Sequence, residues 1–217
     1  MWVRLFHWAL ALAVTFLLIS GETGLGFFDW HRLAGEVVFI LIVFRILWGI
    51  VGSSNARLAT LPGKPLHALK HFRALFLRDV TQERGHNAAG GWAVLLMLLL
   101  LTIQATTGMF IADEEEWVEG AFYGVFSQAN SDYLYNIHHM NAEFLKIVVI
   151  VHTLMIAVYY LYAKQNLIKP MITGSMNWIS KSQVPEVQFG KFSTGLIVAI
   201  VVTCAVALGV GWIKLKF

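Results

Sequence analysis

Four histidines stand in apolar stretches of this 217-residue chain at spacings that suit a metal-containing cofactor. His138 and His152 are fourteen residues apart in one stretch. On an α-helix they therefore lie within roughly 40° of each other and about 21 Å apart along the axis. His139 faces about 140° away from His152, whereas His7 and His31 stand in two other apolar stretches. Ionisable side chains at membrane depth are costly, so they indicate a functional site.

The elements that carry these histidines are predicted to be membrane-spanning helices. The chain is 58% hydrophobic and 13% charged, with a mean hydropathy of +0.66, which is far too apolar for a soluble domain. About 20 apolar residues cross a bilayer core as a helix. Five runs approach that length: Leu5 to Ser20, Leu33 to Val51, Trp92 to Ile111, Phe144 to Ala163 and Phe192 to Trp212. The predicted fold is an all-α integral membrane protein with five transmembrane helices.

The charges of the connecting segments predict the orientation in the membrane. Residues 52–89 contain six Lys and Arg, whereas residues 112–137 contain six Asp and Glu and no Lys or Arg. Basic loops stay on the cytoplasmic side, so the amino terminus is predicted to be cytoplasmic. We call the basic end of the molecule inner and the acidic end outer.

Depth then sorts the four histidines into two pairs. His31 opens the second predicted helix at the outer end, level with His138, and His7 lies in the inner half of the membrane with His152. Pairs about 20 Å apart cannot share one ion whose His ligands lie roughly 2 Å away. A haem at each depth, with one axial imidazole on each face, fits better.

The single cysteine, Cys204, narrows the kind of haem. A covalently attached haem needs a C-x-x-C-H motif, so the prediction is two non-covalent haems b. A proton relay in a transporter cavity is the alternative use of buried histidines. Such a relay favours Asp or Glu in the centre of the membrane, and Glu36 is the candidate there.

Further residues are candidates for holding the cofactor. Gly35 lies one helical turn after His31, where a missing side chain lets a flat macrocycle approach the backbone. Arg45 either pairs with a haem propionate or extends to the inner interface. Glu36 and Lys146 either pair with each other or serve propionates, and the pair is favoured.

Several motifs in order resemble one known family. They are RLFHW at Arg4–Trp8, WHRLAGEVVFILIVFRILWGIVGS at Trp30–Ser53, Ala56-Arg57, GHNAAGGW at Gly85–Trp92, TTG at Thr106–Gly108 and HHMNAEFLKIVVIVH from His138 to His152. Together they look like the bacterial cytochrome b561 family, which includes the b-type cytochrome subunits of nickel–iron hydrogenases. The resemblance covers roughly residues 1–170.

The resemblance implies a four-helix bundle in a bacterial inner membrane, with two haems b ligated by the pairs His7/His152 and His31/His138. The corresponding division is a bundle over residues 1–163, a cytoplasmic linker over 164–188, and a fifth transmembrane helix with a tail over 189–217. It also implies that His86 packs within its turn or lies near a propionate. His86 passing protons to a quinone is the alternative.

The implied function is electron transfer between the quinone pool and a periplasmic redox partner, either a c-type cytochrome or a hydrogenase-like enzyme. A self-contained quinone-linked oxidoreductase acting on a small substrate such as superoxide, and a proton-coupled transporter, stay open. Whether the chain is itself an enzyme is open too. Lipid surrounds the helices, a second copy of the chain is a candidate partner, and nothing in the sequence indicates nucleic acid.

Three weaker patterns have two interpretations each. His67 and His71 share a helical face, a spacing that can bind metal, but an amphipathic helix on the inner membrane surface is favoured. The acidic segment from Ala112 either steers a basic electron carrier or is a solvated loop. Small residues of the fifth run, Gly195 among them, suit contact with a partner subunit or second copy.

Overall fold

The computed structural model describes residues 1–23, 27–77, 85–113, 118–176 and 188–212. These residues are mostly helical, and five of the helices are long and apolar enough to cross a membrane. This confirms the predicted number of spans within the described residues. The helices are α1 (Trp2–Thr23), α2 (Phe28–Val51), α3 (Pro65–Phe76), α4 (Ala88–Gly108), α5 (Gln128–Leu161), α6 (Ile168–Thr173) and α7 (Phe192–Gly209).

The helix α5 is much longer than the apolar run that predicts it. It has 34 residues and begins at Gln128, whereas the run begins at Phe144. At 1.5 Å per residue it is about 51 Å long, against about 30 Å for the bilayer core. Its first turns are polar, so hydropathy does not mark them although the backbone continues as helix. His138 thus lies well inside α5 and not near its start.

One core cluster joins the four helices that carry or flank the histidines. It contains Val14 of α1, Val38 and Ile42 of α2, Leu101 and Ala105 of α4, and Leu145 of α5. Along each histidine-bearing helix these residues lie between the levels of the inner and outer histidines. Lipid is as apolar as these side chains, so close packing rather than transfer from water drives such contact. The cluster leaves an apolar layer between the two levels.

The inner end of the molecule is closed by the segment after α2. Two 3₁₀ turns, Ser54–Ala56 and Leu58–Thr60, lead into the amphipathic helix α3, which begins with Pro65 as helix starts often do. A Cβ at Gly91 would lie 1.9 Å from the Leu61 carbonyl oxygen. Gly91, the last glycine of the GHNAAGGW motif, therefore allows this segment to contact the start of α4.

The start of α4 is capped within the same motif. The Asn87 side chain accepts a hydrogen bond of 2.8 Å from the Gly90 amide. Such a cap satisfies one of the amides that a helix start leaves without a partner. The Ala88 that follows begins the helix without a proline.

A short antiparallel strand pair lies at the outer end and was not predicted. It joins β1 (Ala112–Asp113) to β2 (Val118–Glu119). The side chains of the acidic segment from residue 113 to 117 lie outside the described part of the structure, so the docking and solvated-loop interpretations both remain predictions.

The fifth spanning helix, α7, packs on the rest of the chain. The Trp2 ring stacks on Phe192 with ring centroids 5.1 Å apart, and a Cβ at Gly195 would lie 2.1 Å from the Trp2 indole nitrogen. Gly195 is thus used for contact within the chain. The predicted linker contains α6, while residues 177–187 and 213–217 lie outside the described part.

Candidate functional site

The inner pair of histidines comes together in the structure. His7 of α1 and His152 of α5 have ring centroids 6.4 Å apart, with the rings tilted by 54°. Two imidazoles bound to opposite sides of one metal ion at about 2.0 Å have ring centres roughly 6 Å apart. The His7 Nδ1 atom is buried and has no hydrogen-bond partner among the described residues. The spacing of this pair therefore fits one axially ligated iron.

The outer pair faces a cavity of about 250 Å³. Both His31 of α2 and His138 of α5 line it, together with Gly35 and residues of α1 and α4. The wall is largely apolar, as cofactor pockets generally are. The sequence-based pairing of His31 with His138 thus corresponds to two imidazoles on one cavity.

Hydrogen bonds orient the His138 ring. Its Nδ1 atom lies 3.1 Å from the Gln104 carbonyl oxygen and 3.1 Å from Thr107 Oγ1. A carbonyl oxygen accepts but cannot donate, so Nδ1 carries the proton. The Nε2 atom then keeps its lone pair, which is the form that binds a metal.

The His31 ring is held in the same way by the end of α1. Its Nδ1 atom lies 2.8 Å from Ser20 Oγ, and that hydroxyl donates to the Leu17 carbonyl at 3.3 Å. With the hydroxyl donating to Leu17, Ser20 Oγ can accept the proton of His31 Nδ1, which leaves His31 Nε2 free for a ligand.

Three glycines make room at the outer site. A Cβ at Gly108 would lie 3.0 Å from His138 Cε1, and one at Gly21 would lie 3.3 Å from His31 Cε1. Both glycines thus bring a helix backbone against an imidazole. Gly35 is different, because a Cβ there would meet no atom within 4 Å. Space in front of Gly35 is what a flat cofactor on that face of α2 needs.

Arg45 is buried near the inner pair, with 2% of its surface exposed. Its Nη1 atom donates a hydrogen bond of 2.9 Å to the Ala56 carbonyl, and no carboxylate pairs with it among the described residues. The side chain therefore does not extend to the interface. A buried guanidinium without an acidic partner suits a propionate.

His86 lies within electrostatic range of Arg45, His7 and His152. Its residue surface is exposed, yet its ring is surrounded closely enough that desolvation, followed by the positive charge of Arg45, lowers the pKa of His86 to about 4. The ring is therefore neutral near pH 7. A neutral imidazole can accept or donate a hydrogen bond beside the inner pair without adding charge.

The favoured pairing of Glu36 with Lys146 is wrong. Lys146 Nζ lies 2.5 Å from a carboxylate oxygen of Glu22 and 2.5 Å from one of Glu143. Glu143 is one helical turn away and Glu22 ends the neighbouring helix, so both reach the ammonium. Glu36 instead contacts Arg32 and Trp212.

The other histidines lie outside the two pairs. The exposed His139 also lines the outer cavity, and its ring packs on Tyr135 with centroids 4.3 Å apart. His67 is exposed on α3, and the His71 ring is hydrogen-bonded to the Tyr159 hydroxyl. Among the described residues no three His, Cys, Asp or Glu side chains converge on one point.

Comparison with known proteins gives the family. The family model of prokaryotic cytochrome b561 matches residues 1–174. The chain belongs to the prokaryotic cytochrome b561 family. Curated relatives are each named probable Ni/Fe-hydrogenase B-type cytochrome subunit. That of Rhizobium leguminosarum bv. viciae is 25% identical over 203 residues, covering 79% of this chain and 84% of the relative.

Two further relatives of this family have the same printed name. The protein of Bradyrhizobium diazoefficiens is 24% identical over 203 residues, covering 79% of this chain and 82% of the relative. That of Azotobacter chroococcum is 25% identical over 206 residues, with 79% and 84% coverage. No solved structure matches significantly. Membership in the cytochrome b561 family implies a multi-pass membrane protein that binds haem b and transfers electrons, as the motifs indicated.

Sequence reasoning missed the residues that support the imidazoles in this b561 protein. They are Ser20, Gly21, Gln104, Thr107 and Gly108. Thr107 and Gly108 belong to the TTG motif, so their contact with His138 explains what that motif does. No sequence motif indicated a role for Ser20 or Gly21, because both contact His31 only once the end of α1 packs against α2.

Proposed function

We propose that this protein holds two haems b in a four-helix bundle and passes electrons between the quinone pool and a periplasmic redox partner. The observation that carries the proposal is the pairing of imidazoles at two levels of α5. The inner pair is spaced for one iron, and the outer pair shares a cavity. His7, His31, His138 and His152 are the proposed axial ligands.

The residues around each pair have separate tasks in this proposal. When bound, haem b supplies one-electron transfer. In this proposal, Nδ1 of His138 donates to the Gln104 carbonyl and Nδ1 of His31 donates to Ser20 Oγ, so that Nε2 of each ring is the ligand atom. Arg45, which lies within electrostatic range of His86, is the proposed partner of a propionate of the inner haem, and Gly35 provides space beside His31 and His138. The apolar core cluster between the inner and outer histidine pairs excludes water and ions from the space between the two proposed haems.

The partner proposal is supported by the relatives and by the charge of the loops. Relatives named probable Ni/Fe-hydrogenase B-type cytochrome subunit favour a hydrogenase-like enzyme as the partner. A c-type cytochrome is the other candidate for the periplasmic partner. The acidic connection over residues 112–137 suits a basic surface on such a partner. With the basic loops facing the cytoplasm, the partner docks at the periplasmic face of a bacterial inner membrane.

The test is haem content of the detergent-purified protein, measured by pyridine haemochromogen with reduced-minus-oxidised spectra. We expect two haems b per chain in the wild type and one in His138→Ala and in His152→Ala. His139→Ala is the matched control, because it removes an imidazole next to His138 that lies outside the pair. It should keep both haems.

Reduction by duroquinol, followed in the haem absorbance, tests the quinone part. Rapid reduction of the wild type and loss of this reaction in His138→Ala or His152→Ala are expected. One haem in the wild type would mean that a pair is misassigned. A folded protein without haem would overturn the proposal and favour the proton-relay transporter.

A further inference from the structure

A buried carboxylate forms part of the wall of the outer cavity. Glu36 of α2 is 2% exposed and lines the cavity with His31 and His138. Its Oε1 atom accepts no hydrogen bond among the described residues. A charge at this depth is costly unless something holds and compensates it. The carboxylate is therefore expected to have a task at this site.

The group that holds this carboxylate comes from the far end of the chain. The Trp212 indole nitrogen donates a hydrogen bond of 2.6 Å to Glu36 Oε2. Trp212 follows α7 and lies beyond residues 1–174, the part that matches the family model. At the other end of the same helix, Phe192 stacks on Trp2. The fifth helix thus runs along the bundle from its inner end to the wall of the outer cavity.

The remaining charges near Glu36 leave its negative charge directed at the cavity. Arg32 Nε lies 3.5 Å from Oε1, its side chain is 43% exposed, and its Nη1 atom donates to the Glu119 carbonyl at 3.1 Å. Lys146, the other nearby cation of the cavity, is already paired with Glu22 and Glu143. Neither cation is placed to neutralise Glu36 fully.

We propose that Trp212 of the fifth helix positions the Glu36 carboxylate beside the outer site, where its charge lowers the reduction potential of the cofactor bound by His31 and His138. The inference rests on the proposed function. A nearby negative charge favours the oxidised, more positive form of a haem, and charge is one of the ways in which a protein sets such potentials. Trp212 is therefore a positioning residue, and the fifth helix belongs to the electron-transfer unit.

The experiment is potentiometric titration of both haems in the purified full chain. Glu36→Gln should raise the reduction potential of the outer haem. At a fixed applied potential, the ratio of reduced to oxidised outer haem should rise roughly tenfold, which corresponds to a shift of about 59 mV for one electron. The inner potential should stay constant. Trp212→Phe should shift the outer potential in the same direction by a smaller amount, because a carboxylate without its donor turns towards Arg32.

A double variant separates positioning from packing. In the Glu36→Gln background, Trp212→Phe should have no further effect on the outer potential, since the charge that it positions is gone. Trp2→Phe is the matched control, because Trp2 also packs on the fifth helix but at the inner end. It should leave the outer potential unchanged.

Each result decides the proposal separately from the function. Two haems with an unchanged outer potential in Trp212→Phe would overturn the inference and leave the electron-transfer function standing. Equal shifts of both haems, or equal effects of Trp212→Phe with and without Glu36, would also overturn it. Wild-type protein without haem would instead remove the function itself.

Discussion

A leucine at Gly35 should remove the outer haem while leaving the fold intact. A Cβ at this position meets no protein atom within 4 Å, and the residue lines the outer cavity. The three carbons beyond Cβ then project into the space between His31 and His138. The apoprotein has room for them, whereas a macrocycle in that space does not.

The magnitudes follow from helix propensity and from coordination geometry. Leucine is favoured over glycine inside a helix by roughly 0.8 kcal/mol, so Gly35→Leu should not lower the stability of α2. A bound cofactor tolerates displacements of only about 0.5 Å from its productive geometry. A side chain several bonds long exceeds this tolerance, so haem content should fall from two per chain to one.

The assay is pyridine haemochromogen on the purified variant, together with its elution from size exclusion and its thermal melt. Gly209→Leu is the matched control, since a Cβ at Gly209 also meets nothing within 4 Å but Gly209 is not one of the residues that line the cavity. It should keep both haems. If Gly35→Leu retained two haems, the assignment of the cavity to a haem would be wrong. Loss of both haems would mean that the substitution disturbs the whole bundle.

Three further predictions concern residues around the imidazoles. Thr107→Val removes one acceptor from His138 Nδ1 but leaves the Gln104 carbonyl, so affinity for the outer haem should fall about tenfold. The amount of haem that the protein retains on dilution measures this affinity. Thr106→Val is the control and should retain haem like the wild type. Arg45→Gln should lower the reduction potential of the inner haem by about 59 mV, a tenfold change in the ratio of reduced to oxidised haem, because a positive charge near the inner pair is lost. Arg45→Lys keeps the charge and should have most of the wild-type potential. A redox titration measures both variants. Because the pKa of His86 is about 4, this ring stays neutral between pH 5 and 8. His86→Gln should therefore leave the pH dependence of the inner potential unchanged in that range, and loss of a step near pH 6.5 would contradict the assignment.

Part of the site was predictable because it depends on periodicity along single helices. The fourteen-residue spacing of His138 and His152 places both on one face of any α-helix, and the charges of the loops assign relative depths. The preference for His138 over His139 follows from the same arithmetic. Both side chains line the cavity, but the His138 ring is hydrogen-bonded to the Gln104 carbonyl, whereas His139 is exposed and packs on Tyr135.

The contacts between helices were not predictable in the same way. Glu36 and Lys146 have opposite charges and compatible depth, yet Glu36 is bound by Trp212, which follows α7, and Lys146 pairs with Glu22 of α1 and with Glu143. The small residues of α7 suggested a partner subunit, whereas Gly195 packs on Trp2 of the same chain. Side-chain partners depend on how helices rotate about their axes, and hydropathy carries no information on that rotation.

The sequence by itself determined the membrane class, the number of spanning helices and the positions of the paired histidines, because these follow from composition and from the period of the α-helix. Only the tertiary structure decided the ring orientations of His31 and His138. It also decided the inner spacing of 6.4 Å between His7 and His152 and the reach of the fifth helix to Glu36. These features depend on atoms that are distant in the chain and meet only when the helices pack.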